Sequence, residues 1–125
     1  MNGIDYVADT NALLYLLSGN ECMRPHLDKR LAISIISEME LLSFTGITET
    51  EEANVRALLS ECKNLPLTEG IKETAIRLRR KYNTKLPDAI IAATAVDNSC
   101  CLLTADKGFM KIEELQVELL NPNIK

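Results

Sequence analysis

Short apolar segments that lead directly into helical segments constrain the fold of this chain more than any other feature. Residues 5–8 have the pattern of a short strand and run straight into a helical segment that ends at Ser18 and Gly19. Residues 89–96 are helical in pattern and carry no charge, and residues 100–103 form a continuous apolar strand. Such strands are typical of a parallel sheet that helices cover on both faces. We therefore predict an α/β fold with three layers, α/β/α, and a mainly parallel sheet.

The rest of the chain continues this alternation of strands and helices. Its 125 residues show no repeat or linker, so we expect a single domain over residues 1–125. Pro66 excludes residues 65–67 from a central ladder position, and we interpret them as an extended link. The other predicted elements are a strand at residues 31–34, a helix that Ser37 opens, a surface helix at residues 49–62, a helix from Thr68, a helical turn at residues 109–115 and a strand at residues 117–120.

Composition and charge exclude several classes of function. The chain has 14 Lys and Arg residues against 18 Asp and Glu residues, and its net charge of −4 disfavours nonspecific duplex binding by bulk charge. An aromatic share of 4% with no Trp is too low for a module that stacks single-stranded bases. The uncharged residues 10–20 are fewer than the roughly 20 needed to span a bilayer. Because acids stand at positions 5 and 9, we also expect no signal peptide.

Cysteine and histidine patterns indicate neither a zinc site nor a protein nucleophile. No CxxC spacing occurs among Cys22, Cys62, Cys100 and Cys101. We therefore expect reduced thiols and a cytoplasmic location. The only histidine, His26, lies in a loop-like segment and is expected to have a surface or minor structural role. Neither a Gly-x-Ser-x-Gly motif nor a Cys/His pair is present.

Four acids are candidates for a common site. Asp9 comes directly after the first strand, and Asp106 comes soon after the later apolar strand. In an open parallel sheet, ligands bind beyond the carboxyl ends of the strands. Asp88 lies in the first turn of the uncharged helix, and Glu40 lies in the first turn of the helix that Ser37 opens. Both can lean toward the same edge of the sheet.

Each acid also has an ordinary structural interpretation. Asp9 and Asp106 can be helix N-caps, and Asp88 can complement a helix dipole. Ser37-x-x-Glu40 has the spacing of a capping box. Capping does not require four acids at one edge, however, and their repulsion is costly unless a cation lies among them. Oxygen ligands without Cys or His suit Mg²⁺ or Mn²⁺, which lower the pKa of bound water in phosphodiester cleavage.

Glu38 competes with Glu40 as the fourth acid. The two side chains are about 200° apart around a helix, so only one of them can face the site. Apolar residues lie near both positions. Periodicity therefore leaves this choice open.

Four motifs occur in order along the chain: Asp9-Thr10-Asn11, Ser37-x-x-Glu40-Leu41-Leu42, Leu86-Pro87-Asp88-Ala89 and Thr104-x-Asp106-x-x-Phe109. Together they resemble the successive motifs of PIN-domain ribonucleases, and most closely those of the small toxins of prokaryotic VapBC toxin–antitoxin pairs. The resemblance spans residues 5–122, and the Leu-Pro-Asp-Ala motif with its spacing to Thr-x-Asp is its specific part. It implies a Mg²⁺- or Mn²⁺-dependent endoribonuclease in which metal-activated water attacks an RNA phosphodiester.

The resemblance also assigns roles to individual residues. The residues that it implies for metal binding and catalysis are Asp9, Glu40, Asp88 and Asp106. This assignment favours Glu40 over Glu38. Asn11 and Thr104 correspond to polar positions that support the acids. Many members of the family have a further acid where this chain has Gly108, so we expect a second metal to be weakly held or brought in with the substrate.

The resemblance implies partners as well. The usual partner in the family is a small antitoxin that covers the acidic groove, often with an Arg or Lys inserted among the carboxylates, and homodimers are common. The basic residues before the Asp88 motif are Arg77, Arg79, Arg80, Lys81 and Lys85. They form either a solvated helix face, which we favour, or a rail for RNA phosphates.

Two other functions compete with RNA cleavage. Asp9 at a strand end could be the phosphorylated nucleophile of a small-molecule phosphatase. Haloacid-dehalogenase-like phosphatases typically have Asp-x-Asp, however, whereas this chain has Asp9-Thr10-Asn11. A catalytically inactive PIN-like protein-binding module is the other alternative, and the intact set of four acids argues against it.

Overall fold

The structure, a computed structural model, describes residues 3–123. Its strands are β1 (Tyr6–Ala8), β2 (Leu31–Ser34), β3 (Lys63–Leu65), β4 (Cys101–Thr104) and β5 (Val117–Leu119). Its α-helices are α1 (Thr10–Ser18), α2 (Ile35–Leu42), α3 (Glu49–Ser60), α4 (Glu69–Tyr82) and α5 (Leu86–Asp97). Two 3₁₀ helices, Glu21–His26 and Lys107–Lys111, precede β2 and β5. The sheet order is β3-β2-β1-β4-β5 and every pairing is parallel, which confirms the predicted parallel sheet.

Helices cover both faces of the sheet. Successive strand residues point to opposite faces, and adjacent residues of three strands divide between two hydrophobic clusters. Val7, Ala32 and Leu102 belong to one cluster, and Ala8, Ile33 and Leu103 belong to the other. The first cluster contains buried residues of α4 and α5, and the second contains buried residues of α1 and α3. This division confirms the three-layer α/β/α fold.

The uncharged helix α5 is buried in the centre of one layer, as its composition predicts. Ala89 and five successive residues from Ile91 to Ala95 are buried, and the helix packs against α4 and against β1, β2 and β4. Pro87 stands in its first turn, where a missing N–H costs nothing. Because α5 leads back to the start of the parallel strand β4, its first turn, with Asp88, lies at the carboxyl edge of the sheet.

The predicted start of the second helix is wrong. Helix α2 begins at Ile35, and Ser34 is its N-cap, with Ser34 Oγ accepting a hydrogen bond from the Ile36 N–H at 3.0 Å. Ser37 therefore lies inside the helix, where it is fully buried, and the proposed capping box with Glu40 does not form. The physical reason is that β2 leads into α2 without a loop, so the last strand residue also caps the helix.

The extended link predicted at residues 65–67 is also corrected. The strand in this region is β3, which pairs with β2 at the edge of the sheet. Lys63 and Asn64 are exposed and only Leu65 is buried, so the segment has no apolar run that would mark it as a strand. Pro66 follows the last paired residue, which agrees with its exclusion from a central position.

His26 and the cysteines have structural environments. His26 lies in the first 3₁₀ helix rather than in a loop, and its ring contacts the Tyr6 ring edge-on at a centroid distance of 5.4 Å. None of the four cysteines forms a disulfide in this structure. Within residues 3–123, no helix has the length and apolar character that a membrane crossing requires.

Candidate active site

Two neighbouring strands deliver two of the predicted acids to the same edge of the sheet. Asp9 follows the last residue of β1, and Asp106 lies two residues beyond the end of β4. In the parallel pairing of these strands Ala8 faces Leu103, and the Asp9 N–H donates to the Leu103 carbonyl at 3.1 Å. Both carboxylates therefore stand beyond the carboxyl ends of the central strands, as predicted from their positions in the sequence.

Asp9 is at the same time a helix cap and a buried site residue. Its Oδ1 accepts from the Ala12 N–H at 2.8 Å, which caps α1. Its Oδ2 accepts from the Thr104 hydroxyl at 2.5 Å. The residue is only 4% exposed. The two interpretations of Asp9 are thus compatible, because capping uses one oxygen and leaves acceptor positions on both.

Thr104 connects Asp9 with Asp106. While its hydroxyl donates to Asp9, its Oγ1 accepts from the Asp106 N–H at 3.0 Å. Thr104 is fully buried, so it supports the acids from below and does not line the cavity itself. Asp106 Oδ1 accepts from the Gly108 N–H at 2.8 Å and caps the 3₁₀ helix Lys107–Lys111. This short helix replaces the helical turn predicted at residues 109–115.

Glu40 is positioned by two residues whose roles sequence reasoning missed. Glu40 Oε1 accepts from the Thr10 hydroxyl at 2.5 Å, and Thr10 Oγ1 lies 3.1 Å from Ser37 Oγ. These contacts join the start of α1 to α2. Ser37 lies close to one helical turn before Glu40, and this spacing is the only sign in the sequence that the two residues belong to one site. The same spacing is also that of a capping box.

All four predicted acids line one cavity of about 220 Å³. The side chains that surround it are Asp9, Thr10, Asn11, Glu40, Asp88, Ile91, Asp106 and Phe109. Glu38 is not among them, so the structure brings Glu40 rather than Glu38 to the other acids. Asn11 lines the cavity beside Asp9, whereas Thr104 lies behind it.

The carboxylates in the cavity act on one another electrostatically. Burial is the largest cause that raises the pKa of Asp9, and the charges of Asp106 and Asp88 raise it further. The hydrogen bonds from Thr104 and Ala12 oppose this rise. Burial likewise raises the pKa of Asp88, with further contributions from the charges of Asp106 and Glu40. The net direction for both groups is upward. The cavity therefore favours a positive charge or a bound proton.

The polar groups that line this cavity are four carboxylates, the Thr10 hydroxyl and the Asn11 amide. Within residues 3–123, no three His, Cys, Asp or Glu side chains lie close enough together to ligate one metal ion directly. Oxygen ligands are those that Mg²⁺ and Mn²⁺ prefer, and such an ion keeps several of its waters, through which more distant carboxylates can contact it.

Part of the basic segment before Asp88 has a structural role. Arg77 and Lys81 lie 3.1 and 3.6 Å from Glu114 Oε2, and the Tyr82 hydroxyl also donates to Glu114. These contacts tie α4 to the loop after the second 3₁₀ helix. Arg79 and Arg80 are exposed, which agrees with the solvated face that we favour.

Comparison with known protein families gives a match over most of the chain. The sequence profile of the PIN domain matches residues 6–115. The comparison with curated proteins gives no match.

Solved structures also match over nearly the whole length. A toxin–antitoxin complex from Klebsiella pneumoniae contains a chain with 32% identity and a TM-score of 0.80, and the match covers 97% of this chain and 100% of that one. VapBC2 from Rickettsia felis, bound to a DNA fragment from its promoter, matches with 20% identity and a TM-score of 0.83 over 94% of this chain and 100% of that one. VapBC-1 from nontypeable Haemophilus influenzae matches with 23% identity and a TM-score of 0.77 over 93% and 98% of the two chains. At such identities the last two matches show the fold.

Proposed function

The chain belongs to the PIN domain family, and we propose that it is a metal-dependent endoribonuclease whose catalytic and metal-binding residues are Asp9, Glu40, Asp88 and Asp106. The observation that carries this proposal is the single cavity that these four carboxylates line at the carboxyl edge of the parallel sheet. Ligands of open α/β sheets bind at this edge.

The metal is Mg²⁺ or Mn²⁺. When bound, the ion lowers the pKa of water and offsets negative charge on the phosphodiester. Asp9 is held in place for it by the Thr104 hydroxyl and the Ala12 N–H, and Glu40 by the Thr10 hydroxyl. Each of these hydrogen bonds uses one acceptor position of a carboxylate and leaves others free for a hydrated cation. Fixed ligands of this kind reduce the reorganisation needed to bind the ion.

The charge of the cavity supports a cation requirement independently of the donor set. Four carboxylates would repel an RNA phosphate, and the raised pKa values of Asp9 and Asp88 reflect the cost of holding their charges there. A divalent ion offsets part of this repulsion and attracts the phosphate directly. The phosphodiester and the ion therefore enter the same cavity cooperatively.

We further propose that the chain is the toxin of a toxin–antitoxin pair. The related chain from Klebsiella pneumoniae is part of a toxin–antitoxin complex. A small antitoxin that places an Arg or Lys among the carboxylates would neutralise their repulsion in the way a metal does. From the family resemblance we also expect a homodimer, which light scattering during gel filtration tests.

The deciding experiment is cleavage of a mixed RNA pool by the purified chain. We expect cleavage with Mg²⁺ or Mn²⁺, none in EDTA, and none by the Asp88→Asn variant. Hydrolysis of a generic phosphate monoester is measured in parallel. Monoester hydrolysis without RNA cleavage would identify a phosphatase, and inactivity toward both would identify a binding module.

A further inference from the structure

A second cavity adjoins the acidic one and differs from it in charge. Its volume is about 250 Å³, and it shares Asp88, Asp106 and Phe109 with the acidic cavity. The other residues that line it are Asn83, Thr84, Lys85, Gly108 and Lys111. Two lysines thus line the same space as two of the proposed catalytic acids.

Both lysines act on Asp88, and neither is held in an ion pair by another described residue. The charges of Lys85 and Lys111 lower the pKa of Asp88 against its net upward shift, which places them in electrostatic range of the acidic cavity. Among the described residues, neither lysine forms an ion pair within 4.0 Å. Arg77 and Lys81, by contrast, are engaged with Glu114. The two cavity lysines are therefore the basic residues available to an anion at this site.

Gly108 is one of the residues that line this cavity. It has no side chain to occupy the space, and a Cβ at this position would lie 3.0 Å from Asp106 Oδ1, which is a tight contact. The Gly108 N–H donates to that same oxygen. An acid here would add a third negative charge to a cavity that two lysines and two aspartates line, and glycine avoids that charge.

Thr84, which lines the cavity, has a hydroxyl that is unpartnered among residues 3–123. Thr84 is 9% exposed, and its Oγ1 is buried with no hydrogen-bond partner in the described part of the chain. A buried hydroxyl without a partner is unfavourable.

We propose that the second cavity is a phosphate subsite, in which Lys85 and Lys111 bind a backbone phosphate of the RNA next to the phosphodiester that is cleaved. This inference rests on the proposed function, since it assumes that the acidic cavity holds the cleaved phosphodiester. The shared wall of Asp88 and Asp106 supports it, because consecutive phosphates of one strand can then occupy the two cavities. The lysines fix the strand, and the acids with their ion act on the neighbouring linkage.

The test measures RNA binding apart from cleavage. A fluorescent single-stranded RNA of mixed sequence is titrated with the protein in EDTA at several salt concentrations. The Lys85→Gln/Lys111→Gln variant removes both lysines. For each lysine–phosphate ion pair that is lost, we expect RNA binding to weaken about fivefold at 0.1 M salt. The slope of log K against log salt should become less negative by about 0.7 for each lost pair. Lys63→Gln, which removes an exposed lysine on β3, is the matched control and is expected to bind as the parent does.

Two further arms separate the possible outcomes. The Lys85→Arg/Lys111→Arg variant keeps both charges and is expected to bind like the parent, which a folding defect at these positions would not allow. Protection of the parent against thermal unfolding by inorganic phosphate, without RNA binding, would assign the cavity to a small anion and overturn the proposal. An unchanged salt slope in the double Gln variant would also overturn it.

The cleavage assay distinguishes this failure from failure of the proposed function. If the parent cleaves RNA with Mn²⁺ while the double Gln variant keeps the parental slope, the nuclease assignment stands and the subsite is wrong. If the parent neither binds nor cleaves RNA, both are wrong. If the double Gln variant binds RNA as the parent does but no longer binds an acidic partner protein, the cavity is a site for that partner and the proposal is wrong.

Discussion

The Thr104 hydroxyl donates a hydrogen bond to Asp9 Oδ2, and the two residues lie 95 positions apart in the chain. Both are buried, at 0% and 4% exposure. The bond joins the end of β4 to the N-cap of α1, so it fixes the most buried acid of the cavity relative to the loop that carries Asp106. It is the contact through which the fold most directly sets the geometry of the candidate site.

Removing this hydroxyl should destabilise the protein and raise the pKa of Asp9 further. Thr104→Val leaves Oδ2 buried without its donor, and we expect a loss of about 1–3 kcal/mol in the free energy of unfolding at pH 7. Because the Thr104 bond lowers the pKa of Asp9, the loss should shrink as pH falls and Asp9 becomes neutral. Urea unfolding at several pH values measures it. Thr104→Ser keeps a hydroxyl and is the control, and equal stability of the Val and Ser variants at pH 7 would contradict the prediction.

The pH dependence of stability distinguishes Asp88 as a site residue from Asp88 as a helix-dipole partner. Its pKa is raised above the ordinary value of 3.8, mainly by burial and then by Asp106 and Glu40. The folded state therefore binds the proton more tightly than the unfolded chain does. Ionisation of Asp88 costs folded stability from about pH 3.8 upward through the folded-state pKa, and the cost persists at neutral pH.

Asp88→Asn should accordingly be as stable as the parent or more stable in EDTA at pH 7, with the difference closing as pH falls. Its stabilisation by added Mg²⁺ and its RNA cleavage should both fall sharply. Thermal melts with EDTA and with Mg²⁺ measure the stability of the variant and its stabilisation by the metal. Asp28→Asn removes an exposed acid outside the cavity and serves as the control. A dipole role alone predicts the opposite, a loss of about 0.3–1 kcal/mol with unchanged cleavage.

An antitoxin that inserts a cation into the cavity should compete with metal. Purification from the native host is expected to recover a small second protein with the chain, and added Mg²⁺ should weaken their complex, since both neutralise the same carboxylates. Asp88→Asn should weaken it as well, whereas Asp28→Asn should not. Calorimetric titration at increasing Mg²⁺ measures the effect. Recovery of the chain alone, with activity that no neighbouring gene product alters, would contradict the toxin assignment.

The sequence was sufficient for the main features of the fold and for two of the acids. Continuous apolar strands and the uncharged α5 predict a covered parallel sheet because both patterns follow directly from burial. Asp9 and Asp106 were predictable because each follows a strand of that sheet. The edge strand β3 was not, because two of its three residues face solvent and leave no apolar pattern.

Other parts of the site depend on contacts between elements and leave little trace in the local sequence. The contact of Thr10 with Glu40 spans 30 positions, and that of Thr10 with Ser37 spans 27. No periodicity within α2 encodes how that helix lies against α1. For the same reason the local pattern favours a capping role for Ser37, although the strand residue Ser34 already caps the helix.

The choice between Glu40 and Glu38 supplies the last prediction. Glu40 lines the cavity and accepts from Thr10, whereas Glu38 lies on the same helix outside the cavity. The two substitutions Glu40→Gln and Glu38→Gln remove the same charge from neighbouring positions.

We expect Glu40→Gln to lower Mn²⁺-dependent RNA cleavage by at least the roughly 10–100-fold that loss of an outer-shell partner costs a metal site. Glu38→Gln is expected to cleave within about twofold of the parent. Initial rates over a range of Mn²⁺ concentrations measure both effects, and partial recovery of Glu40→Gln at high Mn²⁺ would mark the loss as one of metal affinity. Equal losses in the two variants would mean that general negative charge on α2, rather than a specific ligand, supports cleavage.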